Sequence, residues 1–159
     1  MDTTLHPNVA HVTEVLATHG VAGRPHVFTE PVPTATAAAE QLGVEVGAIA
    51  NSLIFDADGE AVLILASGAH RVDTDRCAPL LGVPSLRRAK PDFVKHATGQ
   101  RVGGVAPVGH PAPLRTLVDV WLRDHPTVWC GAGEPSAVFP TTFDELVRIT
   151  GGTPADVGD

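Results

Sequence analysis

The segment Gly103-Gly104-Val105-Ala106-Pro107-Val108-Gly109-His110 gathers three glycines, a proline and a histidine into eight residues. Glycine has no Cβ, so its backbone reaches angles other residues avoid and its N–H can touch a ligand, while proline fixes the direction of the chain around it. Donors of this kind suit carbonyl or phosphate oxygens. On this reading a side chain at Gly104 would occupy the substrate's space and leave the fold intact. The plainer alternative is a tight turn joining two strands. His110 is either a hydrogen-bonding residue of the loop or an acid–base group. Directly before the loop, Arg87, Arg88, Lys90, Lys95 and Arg101 supply five of the chain's eleven basic side chains. They form either a phosphate-binding patch or a solvated helix face.

Composition narrows the chemistry. The net charge is −7, which disfavours nucleic acid as a partner except at that basic segment. The eight histidines are scattered. No HExxH, Gly-x-Ser-x-Gly or P-loop pattern occurs, and the glycine segment lacks the GxGxxG order of dinucleotide sites. Cys77 and Cys130 lie far apart and outside any metal-ligand spacing, so reduced thiols, buried or semi-buried, are expected and no metal. No apolar run is long enough to span a bilayer, and no signal-peptide pattern opens the chain; a cytoplasmic location without membrane contact is the expectation.

The elements that must position these residues alternate between helix and strand. At 159 residues one domain, 1–159, is expected, with a tail frayed from about residue 152. Asn8 is read as capping a helix with Val9, Val12, Val15 and Leu16 on its apolar face, ended by Gly20. His26 to Thr29 is extended, and Pro31-Val32-Pro33 excludes helix. Thr36 is read as capping a second helix, stopped by Gly43. Ile49–Phe55 and Ala61–Ala66 read as central strands joined by the hairpin turn Asp56-Ala57-Asp58-Gly59. Asp73 caps a helix to Leu81, and Pro91 opens another. Thr116–Val120, Thr127–Cys130 and Ala137–Phe139 read as strands, and Thr142 with Glu145 forms a capping box for a last helix to Thr150. The pattern predicts an α/β (mixed α+β) fold, a mixed sheet with helices around it.

Four segments in order carry a resemblance over nearly the whole chain: Thr36–Gly43 (TAAAEQLG), Ile49–Phe55 (IANSLIF), Gly103–His110 (GGVAPVGH) and Thr142–Gly151 (TFDELVRITG). Together they resemble the YbaK/ProX-type aminoacyl-tRNA deacylases, which are related to the editing domain inserted in bacterial prolyl-tRNA synthetases. The resemblance implies one domain around a curved mixed sheet and hydrolysis of the ester of mischarged aminoacyl-tRNA, with no metal or organic cofactor. It implies mischarged tRNA as partner, with contact to a synthetase or a second copy of the chain left open. The Gly-x-x-x-Pro loop, here Gly103 to Pro107, would line the pocket. Where relatives usually carry a lysine this chain has Asn51, and relatives' polar pocket residue falls near Ser136. The implied catalytic set is Asn51, Gly103 and Gly104. Ser52, Val105, Pro107, Gly109, His110, Gly131 and Ser136 would hold substrate, and Arg87, Arg88, Lys90, Lys95 and Arg101 would hold tRNA. The tRNA's own terminal ribose hydroxyl would carry a proton, since no dedicated base stands out. Loss of the lysine keeps a non-catalytic binding module of the same fold as the alternative.

Overall fold

A computed structural model describes residues 6–30, 32 and 34–159. Its centre is a hairpin. Strands β2 (Ile49–Ala57) and β3 (Glu60–Ser67) pair antiparallel, and Asp58 and Gly59 turn the chain with φ of 55° and 93°. Asp58 tolerates that left-handed angle because aspartate's short polar side chain bonds locally, and Gly59 has no Cβ to clash. Asp56 Oδ1 accepts from Gly59 N at 2.6 Å and fixes the turn.

Around the hairpin, the described residues form one eight-stranded mixed sheet in the order β1-β7-β6-β2-β3-β5-β8, with β4 (Arg87–Arg88) added beside β2. β1 is His26–Val27, β5 Arg115–Asp119, β6 Val128–Gly131, β7 Ala137–Thr141 and β8 Thr153–Ala155. One edge of β2 is fully paired to β3. On its other edge β6 meets Ile49 and Ala50, and β4 meets Phe55 and Asp56. Between them, Asn51 to Ile54 have no strand neighbour on that edge among the described residues. The gap in the sheet is where the site forms.

Helices cover both faces because side chains alternate across each strand. On one face α1 (Pro7–Thr18), α4 (Pro91–Thr98) and α5 (Phe143–Thr150) bury Val9, Val12, Leu16, Val94, Leu146 and Ile149 against Leu63, Leu65, Val118 and Phe139. On the other, α3 (Thr74–Leu80) packs Cys77 and Ala78 on Val62, Ile64, Ala66 and Leu117. α2 (Ala35–Leu42) closes a third cluster with Phe28, Ile49 and Val138.

The caps read from sequence hold at Asp73, Pro91 and Thr142 and move elsewhere. Pro7 takes the first helical position, where its missing N–H costs nothing, so His6 is the cap of α1 and its Nδ1 accepts from Asn8 N at 3.1 Å. Asn8 is thus inside the helix. Thr34, not Thr36, caps α2, its hydroxyl accepting from Ala37 N at 3.1 Å. Glu145 N donates to Thr142 Oγ1, but the Glu145 carboxylate accepts from Thr141 Oγ1 at 2.6 Å. Pro31 and Pro33 lie outside the described residues. The tail expected to fray from about residue 152 instead forms β8, parallel to β5, followed by a fully buried Val157. Asp73 N and Arg71 N donate to the carbonyls of Val157 and Asp159. The apolar alternation Ala155-Val157 that anchors this end is only three residues long, too short to register as a strand in the sequence.

Candidate active site

The gap beside β2 opens into a cleft of about 810 Å³. Asn51, Ser52 and Leu53 form its floor. Gly103, Val105, Gly131 and Pro135 line one side, Thr34, Ala35 and Ala38 another, and His70, Arg71 and Arg88 also border it. The glycine loop is a turn in which Gly104 N donates to Arg101 O at 3.1 Å, and Gly103 holds φ of 91°, an angle that favours glycine. Gly133 N donates to Gly104 O at 2.8 Å and straps the loop to the segment after β6. That strap is tight. A Cβ on Gly104 would lie 2.5 Å from Pro135 N and 2.6 Å from Glu134 Cα, and one on Gly131 would lie 2.6 Å from Val105 O.

Gly104 therefore serves a different purpose from the one its sequence suggests. Both its backbone polar groups are committed within the protein, and the space beside its Cα belongs to backbone, not substrate. The N–H groups of Gly103 and Val105 have no partner among the described residues. Of the loop residues with a free N–H, these two line the cleft. Ala106 N is held by Gln100 Oε1 at 2.7 Å.

A second network anchors the same loop from outside. The nearly buried Glu134 carboxylate accepts from Arg101, pairs with His6 Nε2 at 3.1 Å and meets Asn8 Nδ2 at 3.5 Å. It ties α1 to the loop. Ser52 Oγ is buried with no partner among the described residues.

The matching family model is that of the aminoacyl-tRNA editing domain, and it covers residues 29–149. The chain belongs to the aminoacyl-tRNA editing domain family. Among solved structures, it is 38% identical, with a TM-score of 0.92 over 98% of this chain and 99% of the other, to a protein proposed to be a trans-editing enzyme for prolyl tRNA synthetase. The hypothetical protein APE2540 is 32% identical, with a TM-score of 0.86 over 94% and 99% of the two chains. The uncharacterized protein YwhH of Bacillus subtilis (strain 168) is 33% identical over 77% of this chain and 78% of its own. A proline–tRNA ligase of Staphylococcus haemolyticus (strain JCSC1435) is 29% identical over 84% of this chain but only 22% of the ligase. The matched stretch thus spans about a fifth of that enzyme.

Within this editing domain, the cleft brings together Asn51, Ser52, Gly103, Val105, Gly131 and Arg88 of the residues expected from sequence. Others lie elsewhere. Gly109 and His110 border a separate pocket of about 320 Å³ with His11 and Gln100. His110 Nε2 meets Ala106 O at 2.8 Å, and burial holds its pKa below the ordinary value while that bond opposes the shift. A neutral ring donating Nε2–H to the carbonyl fits both facts, so His110 braces the loop. Pro107 and Ser136 are not on the cleft wall; Ser136 O accepts from Phe28 N at 2.7 Å and holds the chain beside β1. Arg87 and Arg88 are exposed on β4, of which Arg88 borders the cleft, Lys90 stands at the N-cap position of α4 and Lys95 is exposed on that helix. Arg101 is engaged by Glu134.

The sequence reading missed His70, Arg71 and Asp119. Asp119 is fully buried at the end of β5 and accepts from Ser67 N at 2.9 Å and Trp121 N at 3.0 Å. Its Oδ2 also lies 3.1 Å from His70 Nδ1, and the His70 ring meets Trp121 edge-on at 4.9 Å. Nothing in the spacing of His70 and Asp119, 49 residues apart, marks them as a pair. Among the described residues no three His, Cys, Asp or Glu side chains gather as metal ligands, and no helix is long and apolar enough to cross a membrane.

Proposed function

We propose that the chain acts in trans as a deacylase, hydrolysing the ester between a wrong amino acid and tRNA, with products of prolyl-tRNA synthetase as the first substrates to test. A synthetase pocket separates amino acids differing by a methylene by only about 1–3 kcal/mol, so a second site must clear the errors. Action in trans is supported by end-to-end similarity to a protein proposed to be a trans-editing enzyme. The carrying observation is the unpaired stretch of β2 at Asn51 to Ile54, facing a loop whose Gly103 and Val105 N–H groups are uncommitted.

The ester is already activated, and the site has to orient it and stabilise the oxyanion formed when water adds to its carbonyl carbon. Fixed backbone donors do this without reorganisation, and one such donor is worth roughly 10²–10³ in rate. Gly103 and Val105 N–H take that role. Asn51 supplies a neutral donor beside the ester where relatives place a charge, contributing about 0.5–1.5 kcal/mol against about 1.5–3 for a charged group. Arg88 at the cleft, with the exposed Arg87 and Lys90 close to it in the chain, receives acceptor-stem phosphates.

The test is release of amino acid from a panel of mischarged tRNAs, tRNA(Pro) first, by purified protein. Release above the spontaneous rate is expected. Binding of mischarged tRNA without release would make the chain a non-catalytic module of this fold.

A further inference from the structure

The sheet places Asn51, Ala66 and Asp119 side by side. Asn51 pairs with Ala66 across β2 and β3, and Asp119 follows the Leu65–Val118 pair by one residue, so the three share a face on adjacent strands. Ala66 is the small residue between the two polar ones. His70 folds back from the end of β3, its backbone N–H donating to Ser67 O at 2.9 Å, and it lines the cleft that Asn51 also lines. Asp119 carries three contacts and no Lys or Arg partner among the described residues. A buried carboxylate held in this way fixes an imidazole by accepting from Nδ1–H, which leaves the Nε2 lone pair as a base. Nε2 has no partner among the described residues.

We propose that His70, held by Asp119, is the acid–base catalytic residue of this site, an assignment that rests on the deacylase reading. Nε2 takes a proton from the attacking water as its oxygen bonds to the ester carbonyl carbon. The tetrahedral adduct then breaks the carbon–oxygen bond to the ribose, and Nε2–H returns the proton to the departing ribose oxygen. Free amino acid and uncharged tRNA leave, and the ring is neutral again. Asp119 stabilises the imidazolium between the two transfers and is a positioning residue. This gives the site a dedicated base despite the uncharged Asn51.

The experiment is single-turnover deacylation against pH, with thermal melting and binding of uncharged tRNA measured alongside. The charged groups near the ring are Asp119 behind it and Arg71 and Arg88 on the cleft wall, and a second imidazole, His125, packs on Gly47 beyond Ser67 and faces Glu45. Imidazole is the side chain that ordinarily changes charge between pH 5 and 8, so the His70 variants decide which ring carries the limb. The wild-type rate is expected to rise with pH and level off. His70→Gln should lower the plateau by about 10²–10³-fold and remove the rising limb, with tRNA affinity unchanged within twofold. His70→Ala should regain activity with added imidazole. Asp119→Asn should lower the plateau and shift the rising limb, and should it fail to fold, the two His70 variants still decide the matter. Wild-type turnover that His70→Gln leaves within threefold, with the limb intact and no imidazole effect in His70→Ala, overturns the assignment while the deacylase reading stands. No wild-type turnover on any mischarged tRNA overturns both.

Discussion

Replacing Gly104 by alanine tests whether the loop is built as described. The added Cβ would sit 2.5 Å from Pro135 N and 2.6 Å from Glu134 Cα, and these are backbone atoms that no rotamer change can move aside. Overpacking of this kind costs about 2–3 kcal/mol. For a chain of this length each kcal/mol lowers Tm by about 2–4 °C, which places the variant about 4–12 °C below wild type. Gly103→Ala is the control, because its nearest non-neighbouring heavy atom, Pro135 Cγ, is 3.9 Å away and only the φ of 91° is strained. That strain costs about 1–2 kcal/mol. The kinetics should separate the two further. Relief of the Gly104 clash displaces the loop that shares the cleft with Asn51, and displacement on the 1 Å scale costs up to about 10²-fold in rate. Gly104→Ala should therefore lose at least tenfold in deacylation at a temperature where it remains folded, and more than Gly103→Ala loses. Melting within 2 °C of wild type, together with wild-type turnover, would refute the close approach of loop and strap.

At Asn51, alanine should slow single-turnover deacylation by about fivefold, near 1 kcal/mol for one neutral hydrogen bond, and lysine should keep or raise the rate. Indifference to both changes would remove Asn51 from the chemistry. Double charge reversal, Arg88→Glu with Lys90→Glu, should weaken tRNA binding and reduce the salt slope by roughly 2, whereas Arg101→Glu should act first on stability through Glu134. Equal effects of all three on the salt slope alone would contradict that division. Burial pushes the Cys77 thiol from 9.0 up to about 11 and raises Cys130 as well. Both should resist a thiol reagent at pH 8 until the protein unfolds, and rapid labelling of native protein would oppose this. Because the folded pKa of Cys77 lies above the unfolded one, its contribution is complete below about pH 9 and is lost as pH climbs through 11; denaturant titrations across that range should show the fall.

What could be read in the sequence was local. The hairpin at Asp58-Gly59, the Asp73, Pro91 and Thr142 helix starts and the glycine stops each depend on residues within a few positions, and each is found in the structure. Asn51 and the glycine loop were legible through pattern, and they do share the cleft. The chain's end was not, because β8 is paired to distant residues of β5 and the residues beyond it, Val157 and Asp159, are held by the 71–73 segment. Gly104 shows the same limit at a single atom. Its type announces a close approach, but only the fold reveals that the approaching group is the protein's own Glu134–Pro135 backbone.

The break in pairing along β2 connects these points. β6 leaves the strand after Ala50 and β4 joins it only at Phe55. A sheet interior interrupted for four residues exposes backbone donors and acceptors that need partners, since an unpaired buried peptide group costs as much as a lost hydrogen bond. Water or an oxygen-rich ligand can supply them. The gap also explains why the glycines matter, because only a side-chain-free segment at Gly104 and Gly131 lets the loop pack down beside the opening without filling it. Polar edge, uncommitted loop donors and the Asp119-held imidazole thus converge on one opening. The fold has put its unmet hydrogen-bonding capacity where an aminoacyl ester, with its carbonyl and ribose oxygens, can meet it.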